Sequence, residues 1–282
     1  ISSFGLPSQA FNPIAAVGTP NGSASVDNGR SHFLVVNVAG HDTVNAVASI
    51  PDLTEEDCFV SIGTTIVVGA PTAAPVLTRM AYENNFKNAV GVFGQNYLCT
   101  DITGFWVVNE CIKQLKEQGE KADFETLQRL AESANSTGSL LDLSKDCFKK
   151  PSDRMLDTVY EYCQTSRQKT PSTTGETIRC ILESFAAHIR LACLALQSIT
   201  GKNFRNIYIV SGGVRNTLLM RLIAEALKRD VCAGIPNATL MGNALIQLVA
   251  CKEISTRQEM SDAAANSVQF IRYTAERINI KE

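Results

Sequence analysis

A chain of 282 residues that is 45% hydrophobic can bury one large core or two small ones. Its formal charge of -2 comes with no block of like charge and few aromatics beside basic residues. That argues against nucleic acid or an anionic membrane surface as the main partner and favours a small ligand. No apolar stretch reaches the roughly 20 residues that span a bilayer, and no basic segment leads into a hydrophobic signal core, so the expected compartment is the cytoplasm.

The first forty residues read as loop, as in Gly18-Thr19-Pro20-Asn21-Gly22-Ser23, and the chain opens on Ile1 rather than methionine, as a piece of something longer would. Phe33 to Ala39 reads as a buried strand. Val44, Ala46, Val47, Ala48 and Ile50 start a short helix, so Gly40-His41-Asp42-Thr43 falls in the turn between them. Asp42 is the residue of interest: a carboxylate there costs stability unless it has a role, and in open α/β sheets the carboxyl ends of strands are where ligands bind. Cys58 to Gly69 reads as a hairpin with its tip at Gly63 and Thr64, able to present amides and hydroxyls to an anion. Weaker strand material follows at Asn88 to Phe93, then a helix over Ile102 to Gly119 and another over Phe124 to Ser133.

Residues 138–150 read as irregular, and Pro151 as the start of a helix through Cys163. A long helix, Thr177 to Thr200, has Ile, Leu and Ala on several faces and is the expected central helix. Asn206 to Val210 is a short buried strand that runs into Ser211-Gly212-Gly213-Val214-Arg215-Asn216, and Thr217 to Lys228 is helical. Val231 to Ala233 reads as a brief strand, Ala238 to Cys251 as a helix, and the tail as a terminal helix. The nine cysteines are scattered, with no Cys-x-x-Cys pair, and read as reduced, mostly buried thiols rather than disulfides or zinc ligands.

Each local feature has an ordinary explanation. Gly-Gly after a strand usually makes a tight turn, Asp in a turn usually caps a helix, and His41 could merely satisfy a turn carbonyl. Their order is more specific: strand, Gly-His-Asp-Thr, helix, Gly-Thr-Thr hairpin, long helix, strand, Ser-Gly-Gly, helix, and finally Gly242-Asn243-Ala244-Leu245 on a last helix. With Gly104-Phe105-Trp106, Arg179-Cys180-Ile181-Leu182-Glu183-Ser184 and the opening Phe4-Gly5-Leu6-Pro7 and Val17-Gly18-Thr19, this series resembles the C-terminal half of the FGGY carbohydrate kinases, the rhamnulose kinases among them most.

The resemblance implies an α/β fold of the actin-like ATPase, ribonuclease H-like class, with a mixed sheet flanked by helices. Residues 1–30 would be the tail of an N-terminal domain or a linker, and residues 31–282 the C-terminal kinase domain. The implied reaction is transfer of the γ-phosphate of ATP to a hydroxyl of a ketose such as L-rhamnulose. ATP and Mg2+ would be the cofactors, the metal held largely by an N-terminal domain that is also the expected partner, so the isolated chain would be inactive or nearly so. By the family's pattern Asp42 is the general base, with His41, Thr43 and Asp101 on the sugar. Gly63 and Thr64 form a phosphate loop, and Asn109, Gly212, Gly213 and Asn216 face the nucleotide. Gly242 and Asn243 are expected to pack the last helix against that site. No metal ligand is assigned to this chain.

The sequence departs from the pattern in places. Asp101 stands where the family has an asparagine, Asn109 where it has a glutamine, Thr65 ends a Ser-Gly-Thr-Trp motif, and Ser211 replaces one of three glycines. The departures at Asp101 and Asn109 favour a rival reading, a non-catalytic nucleotide- or sugar-binding regulator of the same fold. A chaperone-type actin-like ATPase is a third, against which His41-Asp42-Thr43 speaks.

Overall fold

The computed structural model describes residues 15–275 together with Gly5 and Pro7. The Phe4 to Pro7 resemblance therefore lies outside the described residues except at those two positions, and so does residue 276 onward. β1 (Thr19–Val26) and β2 (Ser31–Asn37) form an antiparallel two-stranded ribbon. This corrects two expectations. The segment before residue 31 contains a strand, and the Phe33 run is exposed rather than buried, with Phe33 at 54% and Leu34 at 50%. Among the described residues the apolar run pairs with β1 and does not join the main sheet. The boundary expected after residue 30 falls in the turn of this ribbon.

α1 (Asp42–Ala48) follows. Then β3 (Asp57–Ile62) and β4 (Thr65–Thr72) form the expected hairpin, in register Phe59 with Gly69 and Ile62 with Ile66. α2 (Arg79–Glu83) leads to β5 (Lys87–Val90) and β6 (Asn96–Thr103). The helix expected from Ile102 begins later, as α3 (Trp106–Glu117), because β6 pairs along the whole length of β4, with Ile102 opposite Ile66 and Thr103 opposite Thr65. α4 (Phe124–Ser133) has the expected bounds and is capped by Asp123.

α5 (Met155–Thr165) starts four residues after Pro151. α6 (Thr174–Thr200) begins three residues earlier than expected because Thr173 accepts the Glu176 N–H as its N-cap. It is long and apolar enough to cross a membrane by length and composition, which the sequence reading did not find, but Ile181, Leu182, Phe185 and Ile189 are buried in the protein core. β7 (Asn206–Val210), α7 (Thr217–Leu227), β8 (Val231–Gly234) and α8 (Ala238–Ala250) follow as read. The tail differs: α9 (Arg257–Ala265) is a helix with a complete capping box, but β9 (Phe270–Tyr273) turns back as a strand on β8.

Seven strands make one sheet in the order β5-β6-β4-β3-β7-β8-β9. β3, β4 and β6 form an antiparallel meander, while β7 and β8 run parallel to β3, which gives the mixed sheet of the ribonuclease H-like class. Alternate residues of β3 serve opposite cores. Cys58, Val60 and Ile62 face the layer of α3 to α7, and Phe59 faces the layer of α1, α8 and α9. The carboxyl ends of the parallel strands β3 and β7 thus emerge together between two helical layers. Among the described residues all nine cysteines are free and six are buried, Cys58 and Cys193 lying 3.9 Å apart at sulfur.

Candidate functional site

Asp42 sits at the first position of α1, after a turn tied down from within. Buried Asn45 donates from Nδ2 to the carbonyls of Ala39 (3.2 Å) and His41 (3.4 Å), and the Thr43 N–H donates to His41 Nδ1 (3.2 Å) and Asp42 Oδ1 (2.7 Å). His41 Nδ1 also lies 3.0 Å from Asp42 Oδ1. The Asp42 side chain is 77% exposed. This corrects the idea that a carboxylate here is costly: a solvated negative charge at a helix N-terminus meets the positive end of the helix dipole and keeps its water. What holds Asp42 in place is the packing of α1 on α8. Gly242 of α8 approaches so closely that an added Cβ would lie 1.7 Å from the Asn45 carbonyl oxygen. Gly242 therefore packs α8 against the helix carrying Asp42, rather than against the nucleotide side.

The tip of the β3–β4 hairpin faces the same space. The Gly63 carbonyl accepts from Phe105 N–H (3.0 Å), and the Thr64 carbonyl from the N–H groups of Gly104 and Trp106 (3.1 Å each). These bonds turn the tip's carbonyls toward the start of α3. The Gly63 N–H donates to the Thr65 carbonyl (3.0 Å), so it is already engaged within the hairpin, whereas the Thr64 N–H makes no backbone hydrogen bond among the described residues. Thr64 is thus the better of the two donors for an anion.

Across from the tip, β7 ends in Ser211 and a single 3-10 turn over Gly212–Arg215. Gly213 is forced by proximity, since a Cβ would lie 2.1 Å from Ile62 Cγ2 on β3. Asn216 caps α7, its Oδ1 accepting the Leu219 N–H at 2.8 Å, and is buried to 9% exposure. Its oxygen is therefore committed to the helix, leaving the amide as the group that can turn toward a ligand.

The ten sequence-predicted site residues fall around two adjoining cavities. One, of about 500 Å³, is bordered by His41, Asp42, Thr43 and Asp101. The other, of about 600 Å³, is bordered by Asn109, Gly213 and Asn216. Gly63, Thr64 and Gly212 border both. Together they make one trough, with Asp42 at one end, the glycine turn at the other and the hairpin tip between.

Several residues of the trough were missed in the sequence. Lys87 of β5 holds Asp101 in an ion pair at its edge, with Nζ 2.5 Å from the carboxylate. Phe124 and Gln128 of α4 line the second cavity, on a helix read only as structural. Ser61 and Ser211 meet at 2.9 Å between their hydroxyls, and both border the first cavity. Ser61 left a signal, as a hydroxyl in the otherwise apolar Phe59-Val60-Ser61-Ile62 run; Lys87 left none, because only the β5–β6 pairing carries it to Asp101.

Known proteins match this architecture. The rhamnulokinase of Bacillus subtilis (strain 168) is 33% identical over 248 residues, covering 87% of this chain and 50% of that protein. The rhamnulokinase of Bacteroides thetaiotaomicron is 31% identical over 277 residues, covering 97% of this chain and 56% of that protein. The chain spans about half the length of these curated relatives. Among solved structures, xylulose kinase from Rhodospirillum rubrum shares the fold with a TM-score of 0.64 at 16% identity, over 97% of this chain and 54% of that one. Plasmodium falciparum glycerol kinase with ADP does so with a TM-score of 0.64 at 13% identity, over 93% and 51%. The family model described as the C-terminal domain of the FGGY family of carbohydrate kinases matches residues 58–251, from β3 to the end of α8. The chain belongs to the FGGY family of carbohydrate kinases.

Proposed function

We propose that this chain forms the C-terminal half of an ATP-dependent kinase that phosphorylates a ketose such as L-rhamnulose. The observation that carries the reading is the trough itself, in which an acceptor end at Asp42 and a nucleotide end at Gly213 and Asn216 share Gly63, Thr64 and Gly212 as a common wall. Phosphoryl transfer asks for that order of parts: a base beside the attacking hydroxyl, donors along the phosphates, and open backbone beside the nucleoside. Asp42 accepts the proton of the sugar hydroxyl and orients its oxygen toward the phosphorus; its solvated carboxylate is close to His41 and Thr43, which hold neighbouring oxygens.

Thr64 contributes its N–H and hydroxyl to the phosphates, while the Gly212-Gly213 turn lets the nucleoside lie against main chain. Asp101, paired with Lys87, borders the acceptor end and accepts from a further sugar hydroxyl. Mg2+ brought with the nucleotide supplies charge neutralisation on the phosphates. Among the described residues no three His, Cys, Asp or Glu side chains gather to hold a metal ion, and no residue here is assigned to Mg2+.

Relatives twice as long support a partner domain across the trough, with residues 1–30 leading into it, and the cytoplasm is the proposed compartment. Incubation of the full-length polypeptide with ATP and a panel of ketoses tests the proposal. Stoichiometric ADP and sugar phosphate are expected with L-rhamnulose or a close relative. Calorimetric binding of nucleotide or sugar with no turnover across the panel would replace the proposal with the regulator reading.

A further inference from the structure

Ser211 occupies a backbone conformation that side chains avoid. At φ 76° and ψ -176° it lies in a region populated almost only by glycine. The strand end fixes it there. The Ser211 N–H donates to the Ile235 carbonyl (3.1 Å), its own carbonyl accepts from the Val214 N–H (3.2 Å), and Gly213 is pressed against Ile62 two residues on. Glycine would meet these constraints without steric cost, so the serine stands in a place the backbone disfavours. What it adds is a hydroxyl in the trough.

That hydroxyl is tied to one buried partner. Ser61 is only 6% exposed on β3, and its Oγ lies 2.9 Å from Ser211 Oγ, which is more open to the cavity. Either hydroxyl can donate in this pair; in the arrangement where the buried one does, the Ser211 proton is free for the cavity it borders beside Asp42, Gly63 and Thr64. A hydroxyl that accepts one hydrogen bond becomes a stronger donor of the next. The group it would meet at the junction of the acceptor and nucleotide ends is a phosphate oxygen.

We propose that Ser211 is a phosphate-binding residue of this kinase, its hydroxyl donating to the terminal phosphates of the nucleotide, and that Ser61 is its positioning residue. This rests on the kinase reading and adds to it a donor that a glycine at position 211 could not supply.

The test uses the full-length protein, a non-hydrolysable ATP analogue and adenosine, with affinities from calorimetry and thermal midpoints measured alongside. Ser211→Gly is expected to raise the midpoint by releasing the backbone while weakening the analogue about tenfold, the worth of one charge-assisted hydrogen bond, and leaving adenosine unchanged. Ser211→Ala should show the same loss of affinity with no gain in midpoint. Ser61→Ala should raise the KM for ATP, and Ser61→Thr, which keeps the hydroxyl, should restore it. Unchanged analogue affinity in Ser211→Gly and Ser211→Ala overturns the proposal. An equal loss for adenosine does too, since it would mark a shift of the turn rather than a lost donor. If the unaltered protein binds neither ligand, the kinase reading and this inference fall together.

Discussion

Replacing Gly242 by alanine sets two effects of opposite sign against each other. In the interior of α8, alanine is the better helix former by about 1 kcal/mol, so helix propensity alone predicts a more stable protein. The structure predicts the reverse. The added Cβ would lie 1.7 Å from the Asn45 carbonyl oxygen, about 1.3 Å short of the 3.0 Å approach that real Cβ atoms keep, and 2.6 Å from the carbonyl carbon. The obstacle is backbone rather than a side chain that can swing away, so α1 and α8 must separate. Overpacking costs roughly 1–3 kcal/mol, and so deep an overlap with backbone belongs to its upper part, about 2–3 kcal/mol, which outweighs the propensity gain and leaves a net loss of about 1–2 kcal/mol. For a chain of this size that lowers the thermal midpoint by roughly 2–8 °C. Because α1 begins at Asp42, the same shift moves the proposed base by a distance of order 1 Å, enough to cost about 100-fold in kcat. Thermal melts of the chain and turnover of the full-length protein check both parts. A midpoint raised by the substitution would refute the packing argument, and full turnover despite a lowered midpoint would separate Asp42 from α8.

Two further predictions concern stability and reactivity. Glu176 and Glu259 accept hydrogen bonds at the starts of α6 and α9, from the Ser172 hydroxyl first and from the Ser255 N–H first, and these bonds hold both carboxyls below their ordinary value of 4.5. A lowered folded value means that the stability they lend is fully present above about pH 4.5 and is lost as pH falls through the folded values. The double variant Glu176→Gln, Glu259→Gln should therefore lose stability at pH 7 and show a shallower fall on acidification by circular dichroism; an unchanged slope would contradict it. Burial pushes the Cys99 thiol up to about 11 and those of Cys111 and Cys180 to about 12. Alkylation of the folded protein at neutral pH, read by mass spectrometry, should mark the exposed Cys147 and Cys251 and spare these three, and rapid labelling of Cys111 or Cys180 would contradict the core packing.

The sequence revealed most where local signals and tertiary demand agree. α4, the β3–β4 hairpin and the β7 to α7 unit were legible because caps, glycines and apolar periods all mark the same boundaries. It misled where an apolar run stays outside the main sheet: Phe33, Leu34 and Val35 look like a buried strand, but among the described residues their strand partner is β1. β6 was hidden because Asp101 and Thr103 interrupt its apolar character, and only pairing with β4 identifies it as a strand. β9 was missed for the same reason, as Phe270 to Tyr273 find their partners on β8, about forty residues earlier. The ten residues read from motifs all border the trough. Lys87, Gln128 and the Ser61–Ser211 bond were not read from the sequence, because their meaning lies in what the fold brings opposite them.

The account's central claim is that Asp42 takes the proton of the attacking sugar hydroxyl. Asp42→Asn in the full-length protein tests it most directly, since the amide keeps the shape and the helix start but cannot act as a base. The account predicts that turnover of the preferred ketose falls by at least about 100-fold, the usual scale of a positioned base, while nucleotide affinity by calorimetry stays within a factor of about two. Turnover equal to that of the unaltered protein would contradict it.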